Sequence, residues 1–453
     1  MVPAVQTEVK PQGVSVNRSV LRAVASVGAA GIIVKLVAVG KEMAVAGVYG
    51  RSNAIEAFFA ALLIPSLMIN LISESMNQAL VPTFVRVREL EGRERAQELF
   101  SSALLWMCVL LAAAAGLMAL GARGFFPLIA SHFSRAKLAL SIRLFYGLLP
   151  VVLFTGVATL STGILNTFDR FALPALAPMA NSIAILAGAL LMGGRLGIWA
   201  MVYATLAGAL IHAGLVGGML RRYGMRLRLR WYGMTDAARE VARQYGPVLL
   251  SGVVASGGLV VDQAMAAMLP AGSVSALVYA NRFVSVALTV VAGSVSTAVS
   301  PYFAGMIARA DWAGCRHTLR TWVRLTLLVA APLAAALMVG GRLLVRLALQ
   351  HGAFGPHDTP VVTRVLVMYA LQIPFFAASR VYYRFLVAMR RADLIFYCGV
   401  INLGLDVVLN LAFMTRFGVA GIALATSIWS ISAFFFLWYW AWRVLPPAVG
   451  ALD

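Results

Sequence analysis

The chain has 453 residues, of which 61% are hydrophobic and only 12% charged, and a formal net charge of +20. Soluble domains carry about 25% charged residues, so the composition excludes a water-soluble globular protein and points to the bilayer. The excess of Lys and Arg then reads as loop charge on the cytoplasmic side, not as a nucleic-acid surface.

Residues 1–18, with Pro3, Glu8, Lys10 and Pro11, hold no apolar h-region and read as a cytoplasmic tail without a cleavable signal peptide. Apolar runs of about 20 residues, the length a bilayer-crossing helix needs, then recur along the chain. Twelve spans are expected, at 19–40, 54–80, 100–122, 141–165, 172–194, 197–219, 245–269, 275–304, 321–341, 362–388, 393–414 and 418–442. They form an all-α integral membrane protein of two six-helix lobes, 19–220 and 245–443, with a linker at 221–244 and a tail at 444–453. With both termini inside, cytoplasmic segments hold 22 of the 37 Lys and Arg and the opposite side 10, which favours that orientation. The densest basic stretch, "RRYGMRLRLRWYGMTDAAREVAR" (221–243), is expected to lie at the cytoplasmic headgroups. Cys108, Cys315 and Cys398 have no metal spacing and no evident disulfide partner.

The linker divides a repeat. "LGIWAMVYATLAGA" from Leu196 and "FGVAGIALATSIWS" from Phe417 align at an offset of 221, pairing Gly197 with Gly418, Ala204 with Ala425 and Thr205 with Thr426. Asn181 and Asn402 keep the same offset. Two parallel halves of this kind hold a substrate site between them near the midplane, the organisation of a transporter.

Ten ionisable residues within or just beside the spans are singled out: Lys35, Lys41, Glu42, Glu56, Glu74, Asp262, Arg282, Arg380, Arg384 and Asp406. Each costs roughly 2.5–3.5 kcal/mol at a helix centre, so each needs a wet cavity or a partner. At about 100° per residue, Lys35 and Glu42 share one helix face, with Lys41 about 120° away. Arg380 and Arg384 are one turn apart. Asn402 and Asp406 are also one turn apart, and Asp262 and Thr426 add a carboxylate and a hydroxyl from other spans. Such oxygens suit Na⁺ or another hard cation, and equally an Asn–Asp network joining spans 11 and 12. The loop "HGAFGPHD" brings His351, His357 and Asp358 together but reads as structural. No nucleotide-binding motif and no catalytic constellation appears, so no enzyme is expected.

The stretches "NAIEAFFAALLIPSLMINLISESMNQALVP" (53–82), "GSVSALVYANRFVSVALTVVAGSVSTAVSP" (272–301), "LQHGAFGPHDT" (349–359) and "FGVAGIALATS" (417–427) resemble the MurJ (MviN) family. That family belongs to the multidrug/oligosaccharidyl-lipid/polysaccharide exporter superfamily, and the resemblance runs from about residue 19 to 443. It implies a V-shaped, MATE-like bundle that flips a polyprenyl-pyrophosphate-linked glycan, such as lipid II, outward by alternating access for peptidoglycan synthesis. It implies a monomer in the bacterial inner membrane, in contact with membrane lipids and with cell-wall or polysaccharide synthesis enzymes. Lys35, Lys41, Glu42, Glu56 and Arg282 fall on the family's cavity positions, and Arg380 joins them as a substrate-binding candidate. Asp262, Asn402, Asp406 and Thr426 fall on its sodium ligands, which makes Na⁺ the implied coupling ion, beside the membrane potential, and no other cofactor is implied.

The sequence departs from the family in three ways. Ile69 and Asn70 stand where the family has an arginine pair, and Lys35 and Lys41 replace two arginines. The chain stops at Asp453, where the family usually adds two helices that hold the lipid tail. Flipping of another polyprenyl-linked oligosaccharide, an exopolysaccharide or O-antigen unit, is the nearest rival. A cation-coupled small-molecule exporter fits less well with three cavity cations.

Overall fold

A computed structural model describes residues 31, 33–168 and 172–446. The expected start of span 1, the tail at 1–18 and most of the tail at 444–453 lie outside them. Among the described residues the secondary structure is helical: α1 (33–49), α2 (Asn53–Met68), a π-helical turn (Ile69–Glu74) running into α3 (Ser75–Leu90), α4 (Arg93–Ile129), α5 (Arg135–Asn166), a short α6 (Ala172–Leu176), α7 (Met179–Leu196) and α8 (Trp199–Arg222). The second half holds α9 (Asp236–Ala267), α10 (Ser273–Ala308), α11 (Trp312–Leu349), α12 (Asp358–Ala370), α13 (Gln372–Ala388), α14 (Ala392–Phe417) and α15 (Val419–Val444). Among the described residues, ten segments are long and apolar enough to cross a membrane, with α2 through α3 and α12 through α13 each making one. The helix α1 and the 36-residue α10 lie at the two remaining expected spans.

Helix starts follow local chemistry. Ser52, Ser134, Thr235 and Asp311 cap α2, α5, α9 and α11, each side chain accepting a bond from an N–H three residues on and so satisfying a donor that would otherwise be orphaned. Several helices outrun their expected spans. The helix α11 has 38 residues, about 57 Å at 1.5 Å per residue, far more than a 30 Å hydrocarbon core demands. Inside the second crossing, Pro65 cannot donate to the ladder, and the π turn that follows re-aims the chain before α3.

The 221-residue repeat has a backbone counterpart. Gly197 and Gly418 adopt nearly the same conformation, φ 54° and ψ −137° against φ 57° and ψ −138°, and each ends one helix as the next begins. Positive φ at both positions favours glycine.

Connectivity puts the α1–α2, α4–α5, α9–α10 and α11–α12 turns on one face and the linker on the other. On the turn face both lobes share one core, in which Ile55 and Phe58 of α2 join Tyr279 of α10, Phe354 and Val365. Towards the linker face the core divides. One part holds Phe84, Phe100 and Leu160, the other Phe303, Phe385 and Phe434. The start of α9, with buried Val241, packs into the first of these parts beside Phe84 and Phe100, so the two halves also touch towards the linker face.

The irregular linker is shorter than expected, 223–235 rather than 221–244, because α8 extends to Arg222 and α9 starts at Asp236. It also lies against protein. Gln97 of α4 donates to the Arg226 carbonyl at 2.9 Å and accepts from its N–H at 2.7 Å, and Trp231 stacks on Trp106 with centroids 5.8 Å apart. Arg226, Arg228 and Arg230 stay exposed.

Candidate substrate cavity and cation site

The turn face is closed by a polar knot. Glu56 is buried; its carboxylate pairs with Lys137 of α5 and accepts from the N–H groups of Val274 (2.8 Å) and Ser275 (3.3 Å) at the start of α10. A carboxylate there meets both the orphan amides and the positive end of the helix dipole. Lys137 also sits 3.8 Å from the Phe133 ring centroid. Beside it, Arg51 donates to the Gly272 carbonyl at 3.0 Å and pairs with Asp358 at 3.1 Å. Arg51 and Gly272 are 221 residues apart, the offset of the repeat, so equivalent turns of the two halves meet here. The Ala353 N–H reaches the Gly47 carbonyl at 2.7 Å. Gly352, at φ +57°, makes that approach possible: a Cβ there would lie 2.2 Å from the same oxygen. Asp358 is thus spent on Arg51 and on the Gly355 N–H, in keeping with a structural "HGAFGPHD" loop.

This placement differs from the expectation for Glu56. Its oxygens are engaged by Lys137 and α10, and it does not line the central cavity. Its position joins the lobes.

On the linker face α3 packs along α9, and the polar links between them are exposed or part-buried. Arg86 of α3 pairs with Glu240 of α9 in an exposed bridge, and Tyr245 reaches the Ile72 carbonyl at 3.5 Å. Exposed pairs contribute about 0–1 kcal/mol, so the Arg86–Glu240 bridge adds little to the apolar packing of α9 against α3. Arg86→Ala is expected to lower the melting temperature by less than about 2 °C while raising cysteine accessibility along α3; unchanged accessibility would show that the pair does not restrain the cleft.

Between the two faces lies a cavity of about 460 Å³, bounded by α2, α9, α10, α12, α13, α14 and α15. Phe59, Leu62 and Leu63 of α2 form one wall. Arg282 and Asn281 project from α10, Gln263 and Asp262 from α9, and Asp406 from α14. Of the cationic set expected from sequence, Arg282 lines this space, and Lys35, Lys41 and Glu42 do not; of the acidic set, Asp262, Asp406 and Thr426 line it.

The cationic group is tied together. Glu42 is 4% exposed, and its Oε1 lies 2.9 Å from both Lys41 Nζ and Arg282 Nε. The helical wheel sets Lys41 off that face, but its flexible stem swings the ammonium back to its neighbour. Arg282 uses Nε for Glu42 and is half exposed, which leaves both terminal Nη groups for a ligand. Lys35 is half-buried two turns earlier on α1, within electrostatic reach of Arg282. Arg380 behaves differently. Its guanidinium lies over Phe376 (4.5 Å) and Tyr383 (5.7 Å) of its own helix and does not line the cavity.

The acidic group is a stripe on α14. Its buried residues recur every four positions, Leu394, Cys398, Asn402, Asp406 and Asn410, the spacing of one helix face. Asp262 accepts from Asn410 at 2.8 Å and from Thr426 at 2.9 Å. Asn402 donates to Cys398 Sγ at 3.2 Å and stands behind the lining residues. Asp406 Oδ2, Asn402 Oδ1 and Asn410 Oδ1 are buried without a hydrogen-bond partner. Buried oxygens rarely stay unpaired, and two carboxylates with three orphaned oxygens fit a hard monovalent cation. Asn410 was not among the residues singled out from sequence, although its place one turn after Asp406 was the available signal.

A family profile described as lipid II flippase MurJ matches residues 45–448. The chain belongs to the MurJ family. The lipid II flippase MurJ of Burkholderia cenocepacia is 26% identical over 369 residues, spanning 78% of this chain and 70% of that protein. The probable lipid II flippase MurJ of Synechocystis is 24% identical over 454 residues, spanning 97% and 85%. A solved lipid II flippase MurJ in an inward closed conformation superposes with a TM-score of 0.79 at 23% identity, over 93% of this chain and 88% of that one. An inward-facing MATE transporter superposes at 0.72 with 14% identity, over 91% and 94%. These structural likenesses establish the MurJ and MATE fold, and the MurJ-family chain is a multi-pass membrane protein.

Proposed function

We propose that this MurJ-family chain is a lipid II flippase of the bacterial inner membrane, with both termini and the linker on the cytoplasmic side. The observation that carries the reading is Arg282, held at its Nε by buried Glu42 with its remaining donors facing a cavity between two lobes. A pyrophosphate needs cationic donors, and a guanidinium supplies a pair in fixed geometry. Glu42 keeps the empty site from holding bare like charges. Asn281, Gln263 and Ser66 on the cavity wall offer hydrogen bonds suited to sugar and peptide groups.

The substrate tail has a path of its own. An apolar groove of about 550 Å³ between α1, α10 and α11 includes Val39 and Met43, which flank the Lys41–Glu42 pair, and Phe283, next to Arg282. A polyprenyl chain lying there would stay in lipid while its headgroup reached the cations. With the turn face fused, the cavity loads from the linker side. Release requires the Glu56–Lys137–α10 knot to part as the linker-side cleft closes.

A Na⁺ ion would be held by Asp262, Asn402, Asp406 and Thr426 with Asn410, and when bound would supply positive charge between the two carboxylates. Replacing choline by Na⁺ should then raise the melting temperature of the purified protein by several degrees, through preferential binding to the folded state. Asp406→Asn should abolish that rise. An equal rise in the variant would remove Asp406 from the site.

The function itself is tested in vesicles holding the purified chain and labelled lipid II, with an impermeant reagent reading the exposed leaflet. Exchange between leaflets above that of protein-free vesicles is expected. Exchange of a different polyprenyl-linked oligosaccharide, without exchange of lipid II, would overturn the substrate assignment.

A further inference from the structure

A second groove, of about 410 Å³, lies on the outside of the C-terminal lobe between α11, α13 and α15, away from the central cavity. Its lining is Arg320, Val323, Arg324, Tyr382, Trp438 and Trp442. Arg320 and Arg324 are one turn apart on α11, and Trp438 and Trp442 are one turn apart on α15, so two cations face two indoles across the groove. The Arg320 guanidinium lies 5.1 Å from the Trp442 ring centroid. Val323 and Tyr382 are buried in the lobe's core and form the floor.

Three features point to what fills it. Among the described residues, no ion pair includes Arg320 or Arg324, whereas Lys41, Arg51, Lys137 and Arg282 all have carboxylate partners. The level is that of a membrane interface, since the apolar run of α11 starts near residue 321 and that of α15 ends near 442. Tryptophan favours this level, and arginine reaches lipid phosphate from it. The walls are also fixed: Arg316, one turn before Arg320, donates to the Pro446 carbonyl and ties the end of α15 to α11.

We propose that this groove binds an anionic phospholipid of the linker-side leaflet, its phosphodiester between Arg320 and Arg324 and its upper acyl chain along Trp438. The volume lies in the range of pockets for small organic ligands, enough for a phosphoglycerol head and its first methylenes. The site depends on the chain being embedded in a membrane, not on what it transports.

The test is native mass spectrometry of the full chain released from phosphatidylcholine nanodiscs titrated with phosphatidylglycerol. One tightly retained phosphatidylglycerol is expected. Arg320→Gln with Arg324→Gln should weaken it about 30-fold, from roughly 1 kcal/mol per arginine. Trp438→Ala, which removes a wall and no charge, should weaken it several-fold and guards against misfolding of the double variant. Arg228→Gln with Arg230→Gln, on the exposed linker, should leave it unchanged. Equal retention by the Arg320/Arg324 variant would overturn the proposal, as would displacement of the lipid by an equal concentration of inorganic phosphate.

Discussion

Arg282→Ala is expected to reduce lipid II transport below detection while the protein stays folded in the membrane. Two results should appear together. Transport in vesicles falls by at least the 10- to 100-fold that a lost charge-assisted bond of about 1.5–3 kcal/mol produces, and the melting temperature moves little. Stability is spared because Glu42 keeps Lys41 as a partner at 2.9 Å. Arg282→Lys should fall between, since it retains the charge but loses the Nη pair. Normal transport by Arg282→Ala would take this residue out of the mechanism.

Glu56→Ala is expected to have the largest effect on stability. It strands Lys137, 7% exposed, and removes the acceptor of two amides at the start of α10. Breaking one side of a buried pair costs about 3–5 kcal/mol. The purified protein should therefore melt many degrees lower, and the turn face should become accessible to thiol reagents at cysteines placed near Gly50. Glu56→Leu with Lys137→Met should recover much of the loss, because an apolar pair leaves no stranded charge. An unchanged melting temperature in Glu56→Ala would mean the knot does not hold the lobes together.

These two residues also show what the sequence could reveal. The crossings were readable because each apolar run must be about as long as the bilayer is thick. The repeat was readable because Gly197 and Gly418 share a backbone conformation that few other residues tolerate. Lys35, Lys41, Glu42 and Arg282 stood out as charges in apolar runs, and Glu42 proved to pair with both Lys41 and Arg282. Glu56 carried the same signal, yet its partners lie 81 and 218 residues away and no local pattern announces them. A buried charge in a span signals a need for a partner; it does not say whether the partner is a substrate or another helix. Arg380 met that need on aromatic rings of its own helix. The linker's seat on α4 depends on Gln97 and Trp106, which nothing in the basic stretch itself specifies.

The departures at Ile69 and Asn70 now have a location: both lie in the π turn after Pro65, and neither lines the cavity that holds Arg282. The cationic contribution in this chain is concentrated on α1 and α10. That arrangement has to suffice for a pyrophosphate if the chain handles lipid II.

The most direct test is rescue. The resident lipid II flippase of a Gram-negative host is depleted, this chain is expressed, and lipid II exposed on the outer leaflet is measured, with Arg282→Ala as the control. The account predicts restored exposure for the natural chain and none for Arg282→Ala. Absence of exposed lipid II, with the natural chain shown to be folded in the membrane, would contradict it.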